Sequence, residues 1–171
     1  MDKAELARRI KAVAYLEGDF LLRSGRRSKY YLDKYLFETD PAILAELGRL
    51  FARRAEDVDQ IAGAELGGVA LAAAAAMASG KPFIIVRNAK KDYGTSKMME
   101  GKLSPDASVL LVEDIATTGG QVLEAAKVLT EAGAKVARIV AVIDRQEGAR
   151  QNIESAGYAF EALLTREDLG I

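Results

Sequence analysis

Residues 109 to 120 read Val-Leu-Leu-Val-Glu-Asp-Ile-Ala-Thr-Thr-Gly-Gly. An apolar run ends in two carboxylates, Glu113 and Asp114, and a turn of small residues follows at Thr117, Thr118, Gly119 and Gly120. Small residues let backbone N–H groups come close to an anion, and the N-terminus of a following helix adds partial positive charge. Threonine hydroxyls donate further hydrogen bonds to phosphate oxygens. The carboxylates would repel a phosphate, so they call for sugar hydroxyls or a cation. Together these needs describe a ribose phosphate rather than a bare phosphate. Taken alone, the segment reads equally well as an acidic strand end with a glycine turn. It matches neither the Walker phosphate loop nor the Gly-x-Gly-x-x-Gly dinucleotide loop.

Two other places could do chemistry. Arg87, Lys90, Lys91 and Lys97 stand in one segment against a single acid, Asp92, with Gly94 and Thr95 supplying flexibility. That is either a solvated surface loop or a set of cations for an anionic leaving group. Arg145 follows an apolar strand directly and sits beside Asp144, which suits either an anion-binding arginine or a structural ion pair. The protein has no histidine and no cysteine. Histidine acid–base chemistry, the usual histidine metal sites, thiolate zinc sites, disulfides and cysteine nucleophiles are thereby excluded. With 24 Lys and Arg against 25 Asp and Glu, the net charge of −1 argues against a strongly basic nucleic-acid binder. No apolar run is long enough to span a membrane, and Met1 to Glu17 lacks the apolar core of a signal peptide, so a soluble, cytoplasmic protein is expected.

The segment Val109 to Gly120 resembles the phosphoribosyl pyrophosphate signature of type I phosphoribosyltransferases. Within that superfamily the chain resembles the orotate phosphoribosyltransferase family over almost its full length. FLLRSGR from Phe20 to Arg26, followed by Tyr30-Tyr31, resembles the family's N-terminal element. GAELGGVALA from Gly63 to Ala72 resembles its pyrophosphate-binding turn, and VRNAKKDYGT from Val86 to Thr95 its mobile catalytic loop. Asp144-Arg145-Gln146 resembles its Asp-Arg element.

The resemblance implies transfer of a phosphoribosyl group from phosphoribosyl pyrophosphate to orotate, giving orotidine monophosphate and pyrophosphate in de novo pyrimidine biosynthesis. It implies catalytic roles for Lys91, Glu113 and Asp114. Binding of phosphoribosyl pyrophosphate would fall to Arg87, Asn88, Lys91, Tyr93, the run Glu113, Asp114, Ile115, Ala116, Thr117, Thr118, Gly119, Gly120 and Gln121, and the turn Glu65, Leu66 and Gly67. Orotate would meet Arg23, Tyr30, Tyr31, Thr117 and Arg145. Magnesium would be held mainly by the substrate, with no direct protein ligand. A homodimer sharing the catalytic loop between subunits is implied, with no nucleic-acid or membrane partner. Three departures stand out: Asn88 where a second basic residue is common, Tyr93 where many members carry histidine, and Gly67 where some carry lysine. Lys90 could replace part of the missing charge. The competing readings are a type I enzyme for another nucleobase, or a ligand-sensing regulator on the same fold. The N-terminal Ser-Gly element and Asp144-Arg145 favour orotate, and little chain precedes Phe20 to hold a DNA-binding unit.

These residues need elements to position them. Leu6, Ile10, Val13 and Ala14 follow helical spacing, and Asp19 to Phe37 reads as turns and short strands. Asp40 and Pro41 open a second helix with Ile43, Leu44, Leu47, Leu50 and Phe51 on its apolar stripe. Strands are then expected over Gln60 to Ala64, Pro82 to Val86, Ser108 to Val112, Val136 to Ile143 and Tyr158 to Leu164. Helices are expected over Gly67 to Ser79, Gln121 to Ala132 and Glu147 to Ser155, while Asp92 to Leu103 shows neither period. The alternation predicts an α/β fold, a mostly parallel sheet flanked by helices, in a single domain of residues 1–171. Residues 1–40 would form a small N-terminal hood and 41–171 the core. Ligands in such sheets bind beyond the carboxyl ends of the strands.

Overall fold

The computed structural model describes residues 1–22, 25–89 and 97–171. Asp2 accepts a hydrogen bond from the Glu5 amide and starts α1 (Lys3–Ala14), whose Leu6, Ala7, Ile10 and Ala14 are buried. An antiparallel hairpin follows, β1 (Tyr15–Leu21) with β2 (Arg27–Leu32). Next comes a short helix, α2 (Lys34–Glu38), capped by Asp33 accepting from the Tyr35 amide. The sequence pattern predicts no helix there, because five residues are too few to show a period. Asp40 caps α3 (Pro41–Arg53) as expected, accepting from the Ala42 and Ile43 amides, a contribution of about 1 kcal/mol.

The chain continues as β3 (Gln60–Ala64), α4 (Gly67–Ser79), β4 (Phe83–Val86), β5 (Met99–Glu100) and β6 (Ser108–Ala116). It ends as α5 (Gly120–Glu131), β7 (Lys135–Asp144), α6 (Ala149–Ser155), β8 (Phe160–Thr165) and a 3-10 turn (Glu167–Leu169). The large sheet runs β5-β4-β3-β6-β7-β8, parallel throughout except for β5, which is antiparallel to β4. β3 sits between β4 and β6, so the winding direction reverses there, and a crevice opens beyond the ends of β3 and β6. Leu110, Val112, Val140 and Val142 pack with α1, α3 and α4 on one face, while Val109, Leu111, Ile139 and Ala141 pack with α5 and α6 on the other.

Four further departures from expectation exceed a single residue. The strand expected to stop at Val112 runs on to Ala116, because β7 keeps pairing with it: Ile115 lies opposite Ile143, and Ala116 opposite Asp144. The acidic pair is therefore inside β6, not beyond it. The helix expected from Glu147 begins at Ala149, since Gln146 and Gly148 take φ values of 59° and 107°. The last strand starts at Phe160 rather than Tyr158. Within Asp92 to Leu103, Met99 and Glu100 pair with Val86 and Ile85.

Candidate active site

Strand alternation settles how the two acids divide. Asp114 continues the face of Leu110 and Val112, toward α4 and α2, and Glu113 continues the opposite face, toward α5. Glu113 lines a cavity of about 410 Å³ with Ile115, Ala116, Thr117, Thr118, Gly119, Gly120, Gln121 and Val122. At the turn, Gly119 adopts φ 84°, and a Cβ there would meet Ile153 at 3.1 Å. Gly119 is the N-cap of α5 and offers no side-chain hydrogen bond, so the first amides of the helix face the cavity without a cap. Asn152 donates to the Thr118 carbonyl at 2.8 Å and fixes the turn from behind. A second cavity, of about 440 Å³, joins Arg87, Asn88, Met98 and Gln121 to the ends of β3 and β4. Gln121 lines both cavities.

Asp114 is 4% exposed. Its Oδ1 accepts from the Ile115 amide at 2.5 Å, and its Oδ2 meets Lys34 Nζ at 2.8 Å. Glu65 and Leu66 form the turn that follows β3, and Gly67 opens α4. A Cβ on Gly67 would fall 1.8 Å from Asp114 Oδ2, so a side chain at that position would displace the acid from where it sits. The same point lies 3.3 Å from Glu38 Oε1. Glu38 is 3% exposed, and Oε1 has no hydrogen-bond partner among the described residues. Burial first, then the Asp114 charge, pushes the Glu38 carboxyl up to about 8. Glu113 moves the same way for the same two reasons, burial and the Asp114 charge. Burial opposes the charged form of Lys34, but the hydrogen bond and charge of Asp114 outweigh it and raise the ammonium above its ordinary value. At neutral pH this floor thus carries less negative charge than three carboxylates imply, which eases the approach of a phosphate.

Two of the expected base-binding residues, Tyr30 and Arg145, meet. Arg145 follows β7, and its amide donates to the Ala116 carbonyl at 3.0 Å, next to the Thr117 turn. Its Nη2 donates to the Tyr30 hydroxyl at 3.0 Å, its guanidinium lies 5.7 Å from the Tyr30 ring centre, and its Nε faces Glu147 at 3.2 Å. Tyr30 stacks on Tyr15 at 5.5 Å, while the neighbouring Tyr31 points the other way against Phe20 at 5.7 Å and stays exposed. The structure brings Tyr30 to Arg145 and leaves Tyr31 apart from it. Arg87 and Asn88 follow β4, with Arg87 facing Glu100 at 3.7 Å. Arg23, Lys91 and Tyr93 lie outside the described residues, as does the stretch from Lys90 to Thr95 of the expected catalytic loop.

Sequence reasoning missed Lys34 and Glu38. Their only mark was a spacing of four residues, which means adjacency on a helix and nothing on the turns and strands expected there.

A family model described as the phosphoribosyl transferase domain matches residues 37–157. With the parallel sheet, the acidic strand end and the capless turn, this defines the chain as a phosphoribosyltransferase. The orotate phosphoribosyltransferase of Natronomonas pharaonis is 45% identical, over 89% of this chain and 87% of that one. The structure of orotate phosphoribosyltransferase from Mycobacterium tuberculosis in complex with Fe(III) dicitrate superposes with a TM-score of 0.90 at 31% identity, covering 100% of both chains. The same enzyme in complex with 5-phospho-alpha-D-ribosyl 1-diphosphate gives 0.85 at 31% identity, again over 100% of both chains. The chain belongs to the orotate phosphoribosyltransferase family.

Proposed function

We propose that the chain transfers the phosphoribosyl group of phosphoribosyl pyrophosphate to orotate, forming orotidine monophosphate and releasing pyrophosphate in de novo pyrimidine biosynthesis. The observation that carries the choice of base is Arg145, bonded to Tyr30 and tethered beside the Thr117 turn. Orotate is a flat ring bearing a carboxylate. A guanidinium matches the carboxylate in fork geometry, and the Tyr30 ring offers a wall for the pyrimidine. Arg145 spends one N–H on Tyr30 and one on Glu147, which leaves donors for a ligand.

The amides at the start of α5, with Thr117 and Thr118, take the sugar's phosphate. Glu113 and Asp114 hold the ribose hydroxyls. A carboxylate offers about four acceptor sites, so Asp114 keeps capacity after Ile115 and Lys34 are served. As the bond from ribose to pyrophosphate breaks, positive charge develops on the sugar, and the Asp114 carboxylate favours it. Arg87 and Asn88 take the diphosphate, with Lys91 assigned to it by resemblance alone. Glu65, Leu66 and Gly67 present the turn that follows β3 to the same group. The ring nitrogen of orotate is acidic enough to attack without a strong protein base, so orientation and charge stabilisation supply the rate.

Magnesium fits as a companion of the substrate. Its ligands would come mainly from the substrate, and the hard oxygens of Glu113 and Asp114 near the ribose suit such a cation without binding it directly. When bound, it would screen the charge of the diphosphate.

We read the chain as a single domain, since α1 shares its core with α3 and α4. A homodimer is supported by exposed apolar side chains on α2 and α4, namely Tyr35, Leu36 and Met77. Light scattering in solution tests it. No helix among the described residues is long and apolar enough to cross a membrane. A cytoplasmic location is inferred because the charged sugar substrate does not cross membranes. The deciding experiment is pyrophosphate release with orotate or hypoxanthine, in magnesium and after chelation. Release with orotate and magnesium is expected, and turnover of hypoxanthine but not orotate would overturn the reading.

A further inference from the structure

The floor beneath the acidic pair holds two groups that substrate binding does not use. Lys34 comes from α2 and reaches across to β6, joining the N-terminal segment to the core through Asp114. A buried ion pair of this kind is weak evidence for stability, because apolar residues of similar volume commonly serve as well. Glu38 is odder still. It is buried, one of its carboxyl oxygens has no partner among the described residues, and an amide or apolar side chain would suit the fold better. Lys34 meets Asp114 Oδ2, and Asp114 Oδ2 and Glu38 Oε1 both border the space a Gly67 side chain would fill, at 1.8 Å and 3.3 Å from its Cβ position. Asp114 is thus confined between a cation and a backbone, at the carboxyl end of a central strand.

We propose that Lys34 and Glu38 are positioning residues for the transfer, Lys34 fixing the Asp114 carboxylate against Gly67 and Glu38 backing Lys34 in that role. The proposal rests on the phosphoribosyl transfer argued above and adds what orients its second acid. Among the described residues, the charged groups acting on Glu38 are Lys34 and Asp33 from its own segment, and Asp114 and Glu113 from β6. Of these, Lys34 is the only cation. A neutral Glu38 leaves that ammonium entirely to Asp114. An ionised Glu38, one helical turn along α2, competes for it and loosens Asp114. The consequence is an alkaline limb in turnover that originates in Glu38 and passes through Lys34.

The test measures steady-state turnover of orotate and phosphoribosyl pyrophosphate, with melting temperatures, in Lys34→Met, Lys34→Arg and Glu38→Gln, and in Lys34→Met within an Asp114→Asn background. Misplacing a catalytic group by about 1 Å can cost roughly a hundredfold, so Lys34→Met is expected to lower kcat about tenfold or more, with the KM for orotate little changed. Lys34→Arg restores most of the loss. In the Asp114→Asn background the same substitution adds little, because the group it positions is gone. Glu38→Gln holds its kcat to higher pH than the wild type does. Equal losses from Lys34→Met in both backgrounds, or a lowered melting temperature with kcat intact, overturn the role of Lys34. An alkaline limb unchanged in Glu38→Gln overturns the role of Glu38, and this readout does not require Lys34→Met to fold. An inactive wild type counts against the functional reading, whereas the positioning role fails when an active wild type tolerates Lys34→Met.

Discussion

Arg145 ties two parts of the molecule together at a distance of 3.0 Å from Tyr30. Replacing it with alanine removes a charged hydrogen-bond donor worth roughly 1.5–3 kcal/mol. Arg145→Ala should therefore raise the KM for orotate by about tenfold or more while leaving that for phosphoribosyl pyrophosphate nearly unchanged. Equal effects on the two constants would assign Arg145 to the scaffold. Gly67 offers a second residue-level test. A methyl group there collides with the end of the Asp114 side chain, which can swing away, and not with rigid backbone. Gly67→Ala should accordingly cost much activity, about tenfold in kcat if the acid is displaced by an ångström, with only a small fall in melting temperature. A wild-type kcat in this variant would mean that Asp114 need not sit where it does. The lack of histidine bears on the same scale. The pH dependence of turnover should show no protein group titrating near the free imidazole value of about 6.5.

Among the elements, the α5 turn carries the proposed phosphate site, and its conformation depends on Gly119 at φ 84°. A side chain in that left-handed region costs roughly 1–2 kcal/mol, and here it would also press on Ile153. Gly119→Ala should weaken binding of phosphoribosyl pyrophosphate in calorimetry and lower stability together. The apolar runs made most elements legible beforehand: β3 and α4 fall where Gln60 to Ala64 and Gly67 to Ser79 place them. The extra length of β6 was hidden because carboxylates look like a strand end. Only the pairing of Ile115 and Ala116 with β7 carries the strand through them. Of the candidate site, the turn, the acids, Arg145 and Tyr30 were legible in motifs, and the structure brings Arg145 to Tyr30. Tyr31 could not be separated from Tyr30, since adjacent residues of a strand face opposite ways and the sequence does not say which way is inward. Lys34 and Glu38 were invisible for a different reason. Asp114, the partner of Lys34, is 80 residues further along the chain (114 − 34), and only the fold brings α2 over β6.

At the scale of the whole molecule, two groups should bend the stability curve in opposite senses. The unfolded chain releases the Glu38 proton near 4.5, while the folded protein keeps it to about 8. The associated stability is complete below the ordinary value and is lost as pH rises toward about 8. Asp57 behaves in reverse. The bidentate hydrogen bonds from Arg138 hold it down at about 2, so its contribution is present above 3.8 and disappears as pH falls through about 2. Denaturant titrations at about pH 5 and pH 8.5 separate the two. Glu38→Gln should narrow the stability gap between those conditions, and Asp57→Asn should shift both midpoints equally. If Glu38→Gln leaves the gap as wide as before, the carboxyl is not held neutral by the fold.

The Arg87 amide donates to the Met98 carbonyl at 2.8 Å, and β4 and β5 pair just below it. In polymer terms this is a closed neck: whatever chain lies between the two residues begins and ends at one point on the sheet. The entropy of closing such a ring grows only with the logarithm of its length, about 0.6 kcal/mol for each doubling. The span is therefore a place where evolution can add or remove residues almost independently of folding. A flexible insert placed after Asn88 should leave the melting temperature nearly unmoved, even where it abolishes turnover.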